Sequence, residues 1–289
     1  MSDGGRHPTS AGRPAAFFDL DKTIIARSST LAFSRAFFEG GLITRRSALR
    51  SAYAQLVFGL SGANHDRMEK MRAYLSALCA GWDVQTVQDI VAETLHTIVD
   101  PLVYDEAVRL IEEHRRAGRD VVIVSSSGSE VVEPIGAMLG VDRVVATRLV
   151  VEDGRYTGEI GFYAYGVHKA AAVRDLAAEH GYDLSRSYAY SDSETDLPML
   201  EAVGHAYAVN PNRGLRRAAL ERGWTVLRFS TPVGMRARLG LRPRPTHLAV
   251  VGVAVAGGVA TLVWRARRGR RRHARRLSVT RRYPLPLGR

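Results

Sequence analysis

Phe17-Phe18-Asp19-Leu20-Asp21-Lys22-Thr23 is the stretch on which the fold turns. The apolar run Ala15 to Phe18 reads as a short buried strand. Two carboxylates then stand two residues apart, followed by a hydroxyl. In an extended segment, side chains at i and i+2 point the same way. Asp19 and Asp21 therefore converge at the carboxyl end of a strand, where open parallel sheets bind ligands. Clustered carboxylates repel unless a cation or a proton intervenes. A hard divalent ion such as Mg2+ suits oxygen ligands. Taken alone, the same residues also fit a strand end decorated with solvated acids.

Outward from this stretch the chain alternates. From Ser28 to about Asp100, apolar residues recur at helical spacing in Leu31–Phe38, Ala48–Phe58, Met68–Leu78 and Val84–Ile98, punctuated by glycines. This predicts a helical insert after the first strand. Pro101 opens a helix through Arg116. Asp120–Ser125 is an apolar, β-branched run typical of a buried parallel strand, with a helix from about Glu130 to Leu139. Val144–Ala146 is a short strand. Arg148–Val151 and Arg155–Gly158 form a hairpin around Asp153-Gly154. His168–His180 is helical, Tyr188–Tyr190 a strand. Ala206–Val209 and Thr225–Leu227 are further strands around the helix Arg213–Arg222. Such alternation predicts an α/β parallel sheet.

Three further stations lie at strand ends or helix starts. Ser125 ends a strand before a small-residue turn, where backbone N–H groups and hydroxyls, Ser126 included, suit a phosphate oxygen. The Ser126/Ser127/Ser129 group reads equally as a helix N-cap cluster. Lys169 opens a helix after Gly161 and Gly166. Only three of the 41 basic residues are Lys, namely Lys22, Lys70 and Lys169. With Arg the default cation, a Lys in a motif is less a matter of chance. Asp192 and Asp196 follow the Tyr188–Tyr190 strand and supply a third and fourth carboxylate.

Asp19-x-Asp21-x-Thr23, Ser125 after its strand, Lys169, and Asp192-Ser-Glu-Thr-Asp196 resemble, in order and spacing, the four motifs of the haloacid dehalogenase (HAD) superfamily. The wording of the first and last motifs resembles subfamily IB, the phosphoserine phosphatase-like branch. The resemblance covers roughly Ala15 to Leu227. It implies an α/β, Rossmannoid parallel sheet with an inserted all-helical cap, and a phosphoric monoester hydrolase acting through an aspartyl phosphate. Asp19 would be the nucleophile and Asp21 the general acid and base. Thr23 would orient that acid beside the phosphate. Ser125, Ser126 and Lys169 would hold phosphoryl oxygens. The Asp19 carboxylate, the Asp21 backbone carbonyl and Asp192 would bind Mg2+, with Asp196 in support. Asp21 sets the chain apart from the family's dehalogenases, which lack it. Ser28 stands where phosphoserine phosphatases carry a substrate-binding Glu, and a serine cannot pair with an amino group as a carboxylate can. The expectation is therefore the phosphomonoester class. Phosphoserine or another soluble metabolite is the alternative substrate, and a catalytically silent membrane-bound binding protein the alternative of another class.

The net charge of +12 is concentrated at one end: Arg265–Arg289 holds eleven Arg and no acid, and taking those away leaves +1. One cysteine, Cys79, excludes an internal disulfide and a cysteine zinc site. Met1–Arg13 is polar, has no signal-peptide core and is predicted to be disordered. Thr246–Trp264 is nineteen residues without a formal charge, about 28 Å as a helix. It predicts a C-terminal hydrophobic helix that attaches a cytoplasmic catalytic domain to a membrane. The Arg-rich tail would lie on the anionic surface, and sparse aromatic interleaving argues against nucleic acid. The expected organisation is 1–13 disordered, 14–27 with 101–232 as α/β core, 28–100 as helical cap, 246–264 as membrane segment and 265–289 as basic tail. Either a small phosphomonoester or a lipid phosphate fits as substrate.

Overall fold

A computed structural model describes residues 12–43 and 77–230. The helix expected over 48–58, all but the last two residues of the one expected over 68–78, the segment 1–11, the apolar run 246–264 and the tail 265–289 lie outside the described residues. Among the described residues, no helix is long and apolar enough to cross a membrane.

Strand β1, Ala15–Phe18, is buried at every position. That is what a run of four apolar residues requires when both faces of a parallel sheet are covered. Phe17 and Phe18 alternate between the faces. Phe18 packs with Ile123, Phe33 and Leu95. Phe17 packs with Val122, Val124 and Val173 on the other side. Strands β2 (Asp120–Gly128) and β5 (Tyr188–Ser191) flank β1, both parallel to it. With β3 (Arg143–Glu152), β4 (Arg155–Phe162), β6 (His205–Val209) and β7 (Thr225–Leu227), the sheet runs β4-β3-β2-β1-β5-β6-β7. Only the β3–β4 pair is antiparallel. The chain goes out to one side of β1 and returns to the other, so β1 lies at a topological switch point, where ligand crevices form.

Helices α1 (Ser29–Glu39) and α2 (Val84–Val99) begin and end the insert. They bury Phe33, Phe37, Val91 and Leu95 on one stripe each. Helices α3 (Asp105–Arg116), α4 (Ser129–Leu139), α5 (Val167–His180), α6 (Leu197–Leu200) and α7 (Arg213–Arg222) cover the sheet.

Three expectations need correction. The helix does not open at Pro101. Asp100–Leu102 is a single 3₁₀ turn and α3 starts at Asp105. The intervening backbone is taken by the loop after β1: Ala26 N–H donates to Leu102 O, and Tyr104 N–H to Ile24 O. Second, Val144–Ala146 and Arg148–Val151 are one strand, held continuous where the Thr147 hydroxyl donates to Ser126 O at 2.8 Å. Third, β2 does not stop at Ser125 but runs to Gly128, with its register to β3 shifting between those two residues. The hairpin turn is as expected: Asp153 and Gly154 both have positive φ, 48° and 75°, the paired left-handed conformation of a type I′ turn.

Candidate active site

The carboxyl ends of β1, β2 and β5 and the start of α5 bring the motif residues together. Asp19 continues the β1–β5 ladder, its N–H donating to Tyr190 O at 2.9 Å, so its backbone is fixed by the sheet. The chain then leaves the strand through Lys22, a non-glycine residue with φ 61°. A left-handed conformation there is uncommon and marks a constrained turn. The turn folds Thr23 back so that its hydroxyl donates to Asp19 Oδ2 at 3.3 Å. Thr23 therefore touches the first carboxylate, not the second one it was expected to orient.

Gly166 precedes α5 with φ 55° and ψ −122°, a backbone region that only glycine occupies readily. It aims Lys169 inward. The Lys169 ammonium is 2% exposed and donates to Asp19 Oδ1 at 2.7 Å and to Asp196 Oδ2 at 2.8 Å. Ser191 Oγ donates to the same Asp196 oxygen at 2.7 Å. Burial alone would pull the ammonium down, but Asp19 and Asp196 outweigh it and hold Lys169 charged above its ordinary range.

Asp21 is held on both oxygens. Ser29 N–H donates to Oδ1 at 2.9 Å, and Ser127 Oγ to Oδ2 at 3.2 Å. Ser29 Oγ in turn donates to Ser127 Oγ at 2.8 Å. Ser125 Oγ accepts from Ser127 N–H at 3.2 Å. Because β2 continues past Ser125, its period of two places Ser125 and Ser127 inside and turns Ser126 outward. Ser126 contributes its carbonyl to the Thr147 hydroxyl, and it lies on the exposed face of β2 where it lines the cavity next to Asp21 and Ser127. Ser127, Ser29 and Ser191 were not singled out from sequence as site residues. The signal for Ser127 was the spacing from Ser125, which an N-cap reading of the serine cluster hides.

Among the described residues no three His, Cys, Asp or Glu side chains form a metal cage. The arrangement suits Mg2+ in a different way, since that ion keeps several waters and needs only one or two protein carboxylates. Burial, with the neighbouring Asp196 and Asp21, pushes Asp19 up to about 7 despite Lys169. Burial likewise pushes Asp192 up to about 6, with Lys22 opposing and Asp196 adding to it. Asp192 makes no side-chain hydrogen bond among the described residues, and only its carbonyl is engaged, by Asn212 N–H at 2.8 Å. A half-buried Asp192 carboxyl without a donor, within electrostatic reach of Asp196 and Asp21, is an oxygen donor that a divalent cation would satisfy.

A protein-family model described as haloacid dehalogenase-like hydrolase matches residues 16–201. A Streptomyces azureus protein named for inhibition of morphological differentiation is 64% identical over 262 residues, covering 89% of this chain and 95% of that one. A probable phosphatase of Mycobacterium tuberculosis is 59% identical over 257 residues, 89% of this chain and 88% of its own. A phosphoserine phosphatase of the same organism is 35% identical over 244 residues, 84% and 79%. Among solved structures, a Bordetella pertussis protein of unknown function superposes with a TM-score of 0.67 at 29% identity, covering 75% of this chain and 98% of that one.

Proposed function

Because the chain belongs to the haloacid dehalogenase-like hydrolases, we propose that it is a Mg2+-dependent phosphatase that hydrolyses phosphomonoesters through an aspartyl phosphate on Asp19. The observation that carries this reading is the division of labour between two carboxylates. Asp19 is tied through one oxygen to a buried ammonium. Asp21 is clamped by Ser29 and Ser127 beside it.

An Asp19 oxygen attacks phosphorus, and the P–O bond to the alcohol breaks. Asp21 delivers its proton to the departing oxygen. Asp21, now a carboxylate, takes a proton from water as that water attacks the acyl phosphate, which frees phosphate and regenerates Asp19. Lys169 is positioned to neutralise phosphoryl oxygens while Asp196 and Ser191 keep it in place. Ser125, whose Oγ accepts from Ser127 N–H, would offer its hydroxyl to the phosphate. Mg2+, held by the Asp19 carboxylate, the Asp21 backbone carbonyl and Asp192, would supply the charge that lets an anionic nucleophile approach an anionic ester. Thr23 supports Asp19 directly.

In this reading residues 28–100 act as the cap over a core formed by 14–27 and 101–232. Residues 246–264 and the Arg-rich 265–289 attach the protein to an anionic membrane, which keeps a lipid phosphate among the substrates to be tested. The support for attachment is the composition of that segment. The decisive experiment is Asp19→Asn. Its activity toward a panel of phosphate esters should fall by roughly three orders of magnitude or more, with the thermal transition kept. Retained turnover refutes the assignment.

A further inference from the structure

A cavity of about 580 Å3 opens beside Asp21 and Ser127, between the sheet end and the insert. It belongs to the candidate active site, and its use as a substrate pocket rests on the phosphatase reading. The departing alcohol must lie on the Asp21 side, since Asp21 is the group that protonates it. The cavity is therefore where the alcohol portion of the substrate sits.

Its walls are not those of a site for a small polar alcohol. Leu31, Phe37, Trp82, Leu149, Tyr156 and Tyr163 line it, with the hydroxyls of Ser28, Thr30, Ser126, Ser127 and Thr147 as the small polar groups. Phe37 and Trp82 pack at 5.8 Å between centroids, which fixes one wall. Among the described lining residues there is no Lys, Arg or His. The one acid besides Asp21 is Glu130, in the first turn of α4. Glu130 accepts from Ser129 Oγ at 3.1 Å and has no cationic partner among the described residues. Tyr156, 3% exposed, has its hydroxyl beside the Glu130 carboxylate, and burial with that carboxylate raises its pKa. A carboxylate on the alcohol would meet Asp21 and Glu130 with no cation among the described lining residues to offset them, which is unfavourable beside apolar walls. An apolar body would replace water along aromatic walls. Volumes of roughly 300–1,000 Å3 suit ligands far larger than a serine side chain.

We infer that the substrate is the phosphate ester of a bulky, apolar alcohol that carries no negative charge, with its body between Leu31, Trp82 and Tyr163. Glu130 enforces the charge preference. Aliphatic and aromatic alcohols share this chemistry.

The test is a series of kcat/KM values for the full-length protein with Mg2+. The panel comprises n-alkyl phosphates from ethyl to octyl, 2-phenylethyl phosphate, ω-carboxyalkyl phosphates of matched length, and phosphoserine. Each methylene should raise kcat/KM about fourfold until the cavity is filled. A preference for the alkyl or the phenylethyl arm identifies which kind of apolar alcohol is used. A terminal carboxylate should cost at least about tenfold against the matched alkyl ester, and phosphoserine should be among the poorest substrates. Glu130→Gln should shrink the carboxylate penalty. Leu31→Lys should shrink it further and lower the gain per methylene, and since Leu31 is 55% exposed the fold accommodates it. Length-independent rates, or phosphoserine above the alkyl esters, overturn the inference while leaving the phosphatase reading in place. No hydrolysis of any ester overturns both.

Discussion

Lys169 shows how much a single side chain can be asked to hold. Two buried carboxylates, Asp19 and Asp196, share its ammonium. Removing it leaves both without a counter-charge in a largely buried place, Asp19 being 6% and Asp196 2% exposed. Lys169→Met should therefore cost about 3–5 kcal/mol of stability, as well as activity, measured by denaturant unfolding. The raised pKa values of Asp19 and Asp192 set a pH limb. A protonated carboxyl neither attacks phosphorus nor binds a cation. At limiting Mg2+, kcat/KM should fall as pH drops below about 7, and more steeply below about 6. Raising Mg2+ should move the limb to lower pH, because the cation competes with protons; a limb that stays put would count against metal binding there. His114 behaves in the opposite sense. Its Nδ1 accepts from Arg119 Nε at 2.7 Å, so its Nε2 carries the proton toward the Tyr190 hydroxyl at 2.8 Å. Burial and Arg119 lower its pKa from 6.5 to about 4. Between those values the unfolded chain takes up a proton that the folded one refuses. Stability from this group is thus complete above pH 6.5 and declines as pH falls toward 4. Urea unfolding of His114→Gln should lack that component of the slope.

At the level of elements, the serines of β2 explain what sequence could and could not reveal. Asp19 and Asp21 were legible because carboxylates two apart at the end of an apolar run have few bland explanations. Lys169 was legible because lysine is rare in this chain. Ser127 was not, because serines before a helix cap it so often that they mask a continuing strand. The start of α3 was missed for a related reason: Pro101 favours a helix start locally, but backbone bonds from Ala26 and to Ile24 claim the next residues. Those partners lie nearly eighty residues away in sequence. The β3–β4 turn was legible because its chemistry is local, two residues that tolerate positive φ. Two predictions belong here. Ser127→Ala removes the hydroxyl on Asp21 Oδ2 and should lower kcat about 10- to 100-fold with the far-ultraviolet spectrum unchanged. Gly166→Ala forces a side chain into a glycine-only conformation and should cost about 1–3 kcal/mol. It should also displace Lys169 and so reduce kcat more than it changes KM.

For the whole molecule, the topology decides where chemistry can occur. With β1 central, the two halves of the chain meet at its carboxyl end, and residues from positions 19 to 196 reach one place. The length and alternation of strands made this legible. The end of the chain was read from composition alone: nineteen uncharged residues and then eleven Arg. If that segment attaches the protein to membranes, the full-length chain should pellet with vesicles containing anionic lipid under carbonate wash. The chain truncated after Arg244 should not, while keeping its hydrolytic activity. Equal partitioning of the two forms would exclude attachment by the tail.

Asp19 follows a four-residue strand bonded on both edges and covered on both faces. Amide protons of Phe17 and Phe18 can exchange with solvent only when the whole sheet opens. The carboxyl proposed as nucleophile is thus attached to one of the most firmly held strands of the described sheet. Heating should take activity and structure away together, in one step, with no warm, folded, inactive form in between.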